Sequence, residues 1–134
     1  VGLVEKVGRF VRAELADLPA PLCEELSLAV DELLSNSMEH GCRLDASCQV
    51  DFKYIRTPRM VLFQIKDSGE GFSVDAAVHA AVNNPPDDPL RHAQHRHEMG
   101  MRPGGFGIML VKTIADSLIY NERGNEVLFV KYLV

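Results

Sequence analysis

Apolar residues recur at every third or fourth position from Leu3 to Leu18, at Leu3, Val7, Phe10, Val11 and Leu15, while Glu5, Lys6, Arg9, Arg12 and Glu14 fill the other face. That spacing predicts an amphipathic helix. Pro19 and Pro21 end it and start a second helix, from about Leu22 to His40 and stopped at Gly41. Its stripe is Leu22, Leu26, Ala29, Val30, Leu33 and Ser37. From Ser47 the period changes to two: Cys48, Val50, Phe52 and Tyr54 alternate with Gln49, Asp51 and Lys53, the pattern of a half-buried strand. After Thr57-Pro58 the alternation resumes over Met60 to Lys66, so the two strands are expected to pair as an antiparallel hairpin.

Beyond Asp67-Ser68-Gly69-Glu70-Gly71 the pattern weakens. A short helix is expected over Asp75 to Val82, followed by a long stretch with neither period nor apolar content. Loops of such length inside a domain commonly cover a site or remain disordered. Helical spacing returns from Gly105 to about Ala115, through Ile108, Val111, Ile114 and Ala115. Ser117 to Tyr120 reads as a strand, and the turn Glu122-Arg123-Gly124-Asn125 joins it to a last strand from Glu126. Helices and hairpins in segregated groups predict an α+β two-layer sandwich. The length of 134 residues suits one domain, 1–134, with one core.

Composition narrows the functional classes. A net charge of -5 with scattered Lys and Arg offers no basic face, so neither nucleic acid nor an anionic membrane is an expected partner. No apolar run is long enough to span a bilayer and no signal-peptide pattern opens the sequence, so a cytoplasmic location is expected. Cys23, Cys42 and Cys48 form no C-x-x-C pair and are expected to be free thiols, buried or half-buried.

Three segments carry candidate chemistry. Glu32, Asn36 and His40 stand four residues apart on the second helix, and at about 100° per residue they form one slanting row along the border of the apolar stripe. The row either lines a polar cavity or is a solvated edge with His40 capping the helix beside Gly41. Asp67-x-Gly69-x-Gly71 closes a strand with a carboxylate and a backbone able to fold against a flat ligand, or is an Asp-capped turn. Gly104-Gly105-Phe106-Gly107 precedes a helix, where unobstructed amides and the helix dipole favour an anion. It matches neither a phosphate P-loop nor a dinucleotide fingerprint.

In the order E-x-x-x-N-x-x-x-H-G, D-x-G-x-G, G-G-F-G, the sequence resembles the GHKL superfamily of ATPases and kinases from Leu3 to Val134. The resemblance implies the Bergerat ATP-binding fold, with a mixed, mainly antiparallel sheet covered on one face by helices and an ATP lid at about 83–104. It implies ATP and Mg²⁺ as cofactors. Asn36 is the implied metal ligand and Glu32 the implied catalytic base. Asp67 would accept the adenine amino group, Gly69 and Gly71 would shape the adenine pocket, and Gly104, Gly105, Phe106 and Gly107 would face the phosphates, with His40 beside them. The first motif is most similar to that of anti-sigma-factor kinases, which phosphorylate a serine or threonine on a STAS-domain anti-anti-sigma protein. A sigma factor and a second copy of the chain are further implied partners. The alternatives are the ATP-binding domain of a histidine kinase and a non-catalytic module whose partner binding depends on nucleotide.

The sequence departs from the family in three places. The family's usual β-strand ahead of the first helix is not evident, so it is expected to precede Val1 or to be replaced. Asn125 stands after Gly124, where Thr is common. The expected lid contains His92, His95 and His97, which with Asp88 or Glu98 are either metal ligands or, as we prefer, solvated. Arg91, Arg96 and Arg102 are candidates for phosphate contact or for solvated lid residues, and Lys112 is expected on an exposed helix face.

Overall fold

The computed structural model describes residues 2–42, 47–69 and 107–133. The expected helix over 75–82, the lid with its histidines and arginines, and Gly71, Gly104, Gly105 and Phe106 lie outside the described residues.

Helix α1 (Gly2–Glu14) buries Val7, Gly8 and Val11. It ends four residues before Leu18, the end expected from periodicity, because Leu15 to Leu18 form a turn in which Leu15 is fully buried. Arg56, reaching across from the sheet, fixes that end: its guanidinium donates to the Glu14 carbonyl at 3.1 Å and to both Asp17 carboxylate oxygens at 2.7 Å. One unpaired carbonyl at the helix terminus is thereby satisfied. The paired guanidinium holds the Asp17 carboxyl below its ordinary range.

Helix α2 (Ala20–Asn36) is the central element of the helical layer. Pro21 stands in its first turn, where the missing N–H costs nothing. Beyond the expected stripe, Ser27 and Leu34 are also fully buried, because α1 and helix α3 (Gly107–Ile114) both pack against α2. A helix covered from several sides must be apolar beyond a single stripe. The Ser27 hydroxyl meets that condition by donating to the Cys23 carbonyl at 2.8 Å.

Below lie strands β1 (Val50–Thr57), β2 (Met60–Asp67), β3 (Ser117–Tyr120) and β4 (Glu126–Tyr132), in sheet order β1-β2-β4-β3. The described pairings are all antiparallel. Tyr54, Phe63 and Phe129 are opposite one another across β1, β2 and β4, with ring centroids 5.7 Å apart at each step. Phe10 caps this ladder edge-on to Phe52 and Tyr54, which explains why a stripe residue of α1 remains half exposed. The core therefore lies between α2 and the inner sheet face, around Val30, Leu33, Phe63, Ile65 and Phe129. On the opposite face Ile55, Ile119 and Tyr132 are each more than half exposed, so among the described residues helices cover one face of the sheet.

Candidate functional site

The site is built where the C-terminal end of α2 meets the end of β2. Glu32 and Asn36 stand one α-helical turn apart on α2, Glu32 half-buried and Asn36 only 4% exposed. After Asn36 the helix changes winding: Ser37–Gly41 form a π-helical turn, closed by the Cys42 N–H donating to the Ser37 carbonyl at 2.7 Å. Such i→i+5 bonding puts more residues into each turn than the 3.6 of an α-helix. The α-helical four-residue spacing thus holds from Glu32 to Asn36, while His40 falls within the π turn and its side chain lies outside the described residues. Isolated π turns inside helices occur frequently at functional sites.

Asn36 supplies the clearest chemical signal. Its side-chain nitrogen is buried and has no hydrogen-bond partner among the described residues. A buried amide end without a partner costs free energy unless something else occupies the site. The oxygen and nitrogen of such an amide exchange places by a simple flip. The end that now carries Nδ2 can therefore present the carbonyl oxygen to a hard cation, the donor type that magnesium takes. The residue fits the metal-ligand role implied for it.

Asp67 is 2% exposed at the last position of β2. Register puts it on the inner face, two residues beyond Ile65, so the alternation that builds the core also aims this carboxylate inward. The Gly69 N–H donates to its Oδ1 at 2.9 Å. Burial raises its pKa; the Gly69 N–H and the positive charge of Arg123 oppose that rise only in part. A desolvated carboxylate that can accept further hydrogen bonds suits an exocyclic amine.

Asn125 answers the question posed by its unusual identity. The Asp67 N–H donates to the Asn125 carbonyl at 2.8 Å, and the Asn125 Nδ2 donates to the Asp67 carbonyl at 2.9 Å. Asn125 thus clamps the backbone of the carboxylate residue from the turn that leads into β4. Asn121 orients it, accepting from its N–H at 3.0 Å and donating to its Oδ1 at 2.7 Å. Gly124 makes the turn possible with φ 76°, a left-handed conformation that glycine adopts readily. Periodicity gave no sign of this clamp, since both asparagines fall in a stretch that reads as turn.

The expectation of three free thiols is corrected in part. Cys23 is free and half-buried, but Cys42 and Cys48 are joined in a disulfide with Cα atoms 5.6 Å apart. The π turn delivers Cys42 to the entrance of β1, at a separation usual for a bridged pair. Six positions of sequence separate the two cysteines, a spacing that identifies no motif. Their sulfurs and a carboxylate oxygen of Asp67 all lie within 4.8 Å of one another.

The π turn packs against β2, so the first and second sequence motifs meet at one end of the sandwich. Gly107, from the third motif, opens α3, which packs on α2. Lys112 on that helix is exposed, as expected. Among the described residues no helix is long and apolar enough to cross a membrane.

Among the described residues, an open antiparallel sheet under a layer of helices, with a buried carboxylate at a strand end and a polar edge on the central helix, is the arrangement of the ATP-binding α+β sandwiches. The chain belongs to the histidine kinase-like ATPase domain family, whose model matches residues 1–131. It is 24% identical over 111 residues to the serine-protein kinase RsbW of Oceanobacillus iheyensis, covering 82% of this chain and 65% of that protein. To the serine-protein kinase RsbW of Listeria monocytogenes it is 25% identical over 111 residues, with 82% and 66% covered. The match thus spans slightly less than two thirds of each relative's length. Among solved structures, the blue-light activated histidine kinase of Erythrobacter litoralis EL346 superimposes with a TM-score of 0.50 at 19% identity, over 85% of this chain and 31% of that one. The histidine kinase domain of the same protein gives 0.51 at 14% identity, over 95% and 60%. At these identities the likeness is one of fold.

Proposed function

We propose that the chain binds Mg-ATP and transfers the γ-phosphoryl group to a serine or threonine of a STAS-domain anti-anti-sigma protein, as an anti-sigma-factor kinase that also sequesters a sigma factor. The observation that carries the reading is the buried side-chain end of Asn36, without a partner among the described residues, one turn beyond Glu32 on the helix that walls the site. Likeness to RsbW proteins named as serine-protein kinases supports the choice of acceptor.

In this reading Asn36 would be the protein's ligand to magnesium, which when bound would offset the negative charge of the phosphates. Asp67 accepts the adenine amino group, and its clamp to Asn125 fixes where the base sits. Glu32 accepts the proton of the attacking hydroxyl, at the distance from Asn36 set by one helical turn. The glycines Gly69 and Gly71 shape the adenine pocket, while the amides of 104–107 receive the phosphates. Binding to the sigma factor, and pairing with a second copy of the chain, belong to the same proposal.

Incubation of the chain with radiolabelled ATP and a STAS-domain protein tests it. Label on the partner that survives acid is expected, as phosphoserine does. Acid-labile label on a histidine would instead favour the histidine-kinase reading. Glu32→Ala is expected to keep nucleotide affinity within about twofold while transfer falls at least ~100-fold, the range of general-base contributions. Unimpaired transfer by that variant would remove Glu32 from the mechanism.

A further inference from the structure

The disulfide between Cys42 and Cys48 has no part in the phosphotransfer reading, yet it is built into the same corner. Cys42 ends the π turn that follows Asn36, and Cys48 stands two positions before β1. Asp67 provides the third group of a cluster whose ligand atoms lie within 4.8 Å of one another. The residue after Asp67 ties the cluster together: the Ser68 hydroxyl donates to the Cys48 sulfur at 3.5 Å and accepts the Gln49 N–H at 2.9 Å. The Ser68 N–H donates to the Gln49 carbonyl at 2.9 Å. The chain segments carrying Asn36 and Asp67 are thus connected through two covalently joined sulfurs.

The two cysteines differ in access. Cys42 is 7% exposed, whereas Cys48 is half-buried and can be reached from solvent. This is the arrangement of an attacking thiol in front and a resolving thiol behind it. From this juxtaposition we propose that Cys42 and Cys48 are a reversible thiol–disulfide exchange site at the adenine end of the pocket, with the disulfide as the form that binds nucleotide more tightly.

The exchange is balanced by a low-molecular-weight disulfide of the glutathione class. The Cys48 thiolate attacks one of its sulfurs, the S–S bond of the small molecule breaks, and one half leaves as a thiolate. The Cys42 thiolate then attacks the Cys48 sulfur of the mixed disulfide and expels the second half. The cysteines lose two protons and two electrons, and the small disulfide becomes two thiols. A dithiol reductant reverses both steps.

Coupling to nucleotide follows from geometry. In the disulfide form the end of the π turn is held against the start of β1, so the surroundings of Asp67 are fixed before any ligand arrives. In the dithiol form the two sulfurs must separate beyond bonding distance within space bounded by Asp67 and Ser68, and the tie is lost. Binding to a looser site carries an additional ordering cost. The inference rests on Asp67 being part of a nucleotide site.

The test uses the full chain, equilibrated with glutathione disulfide or with dithiothreitol, and reads thiol content and the affinity for a fluorescent adenine nucleotide with magnesium. Of the three cysteines, one is expected to react with a thiol reagent after oxidation and all three after reduction. Affinity is expected to fall about fivefold on reduction and to recover when the same sample is reoxidised. Cys23→Ser should keep this response. The double variant Cys42→Ser, Cys48→Ser should hold the weaker affinity in both buffers. Three reactive thiols after oxidation, or equal affinities in the two states, would overturn the proposal while leaving the nucleotide site intact. No binding in either state would overturn the nucleotide reading and this coupling with it.

Discussion

At the scale of the residue, Asp67 shows how a buried carboxyl ties stability to pH. Its folded pKa is raised mainly by burial, so the folded chain holds a proton at this carboxyl to higher pH than the unfolded chain does. The contribution to stability is therefore fully present below the ordinary carboxyl pKa and is lost as pH rises through the raised value. Asp31, raised by burial against the opposing charge of Arg12, has the same sign. Asp67→Asn removes the penalty while keeping an acceptor for the Gly69 N–H. In urea denaturation the variant should be more stable than the parent chain at about pH 7, with the advantage vanishing near about pH 4. Its affinity for adenine nucleotides should fall by about tenfold or more, the usual effect of losing a charge-assisted hydrogen bond. A variant equal to the parent in both measurements would remove Asp67 from the site.

At the scale of the element, the aromatic ladder of Tyr54, Phe63 and Phe129 holds the sheet's inner face beneath α2. Phe63→Ala should cost about 3–5 kcal/mol in chemical denaturation, as deletion of a fully buried ring does. Phe10→Ala, at a ring 45% exposed, should cost less than half of that. Comparable costs would mean that Phe10 belongs to the core. These elements were legible from sequence because burial imposes the periods by which they were found. Val61, Phe63 and Ile65 alternate since one sheet face is covered, and Val7, Val11 and Leu15 recur since one side of α1 is. What escaped the periods was local and irregular. The π turn breaks the 3.6-residue rhythm from which His40 was assigned to the row, and Arg56 ends α1 by a contact distant in sequence. The candidate site was read through its motif residues Glu32, Asn36, Asp67 and Gly69. Their supports were not, because the Asn125 clamp and the Cys42–Cys48 bridge join residues by their positions in space.

At the scale of the whole molecule, the clamp between Asp67 and Asn125 has a consequence for folding. The hairpin of β1 and β2 closes through a short turn at Thr57 to Met60, where the Thr57 hydroxyl accepts from the Arg59 and Met60 amides. Asp67 and Asn125, by contrast, are 58 positions apart. Pairings that distant have little to hold them until the intervening chain has been brought together. Amide hydrogen exchange should therefore find the Asp67 N–H exchanging only with global unfolding, at the same free energy as the β4 amides opposite β2. Exchange there by a lower-energy local opening would show that the strand end unzips independently. If it does not, no partly folded chain can offer this carboxylate to a ligand: on the proposed reading, the capacity to recognise adenine would appear only with the last cooperative step of folding.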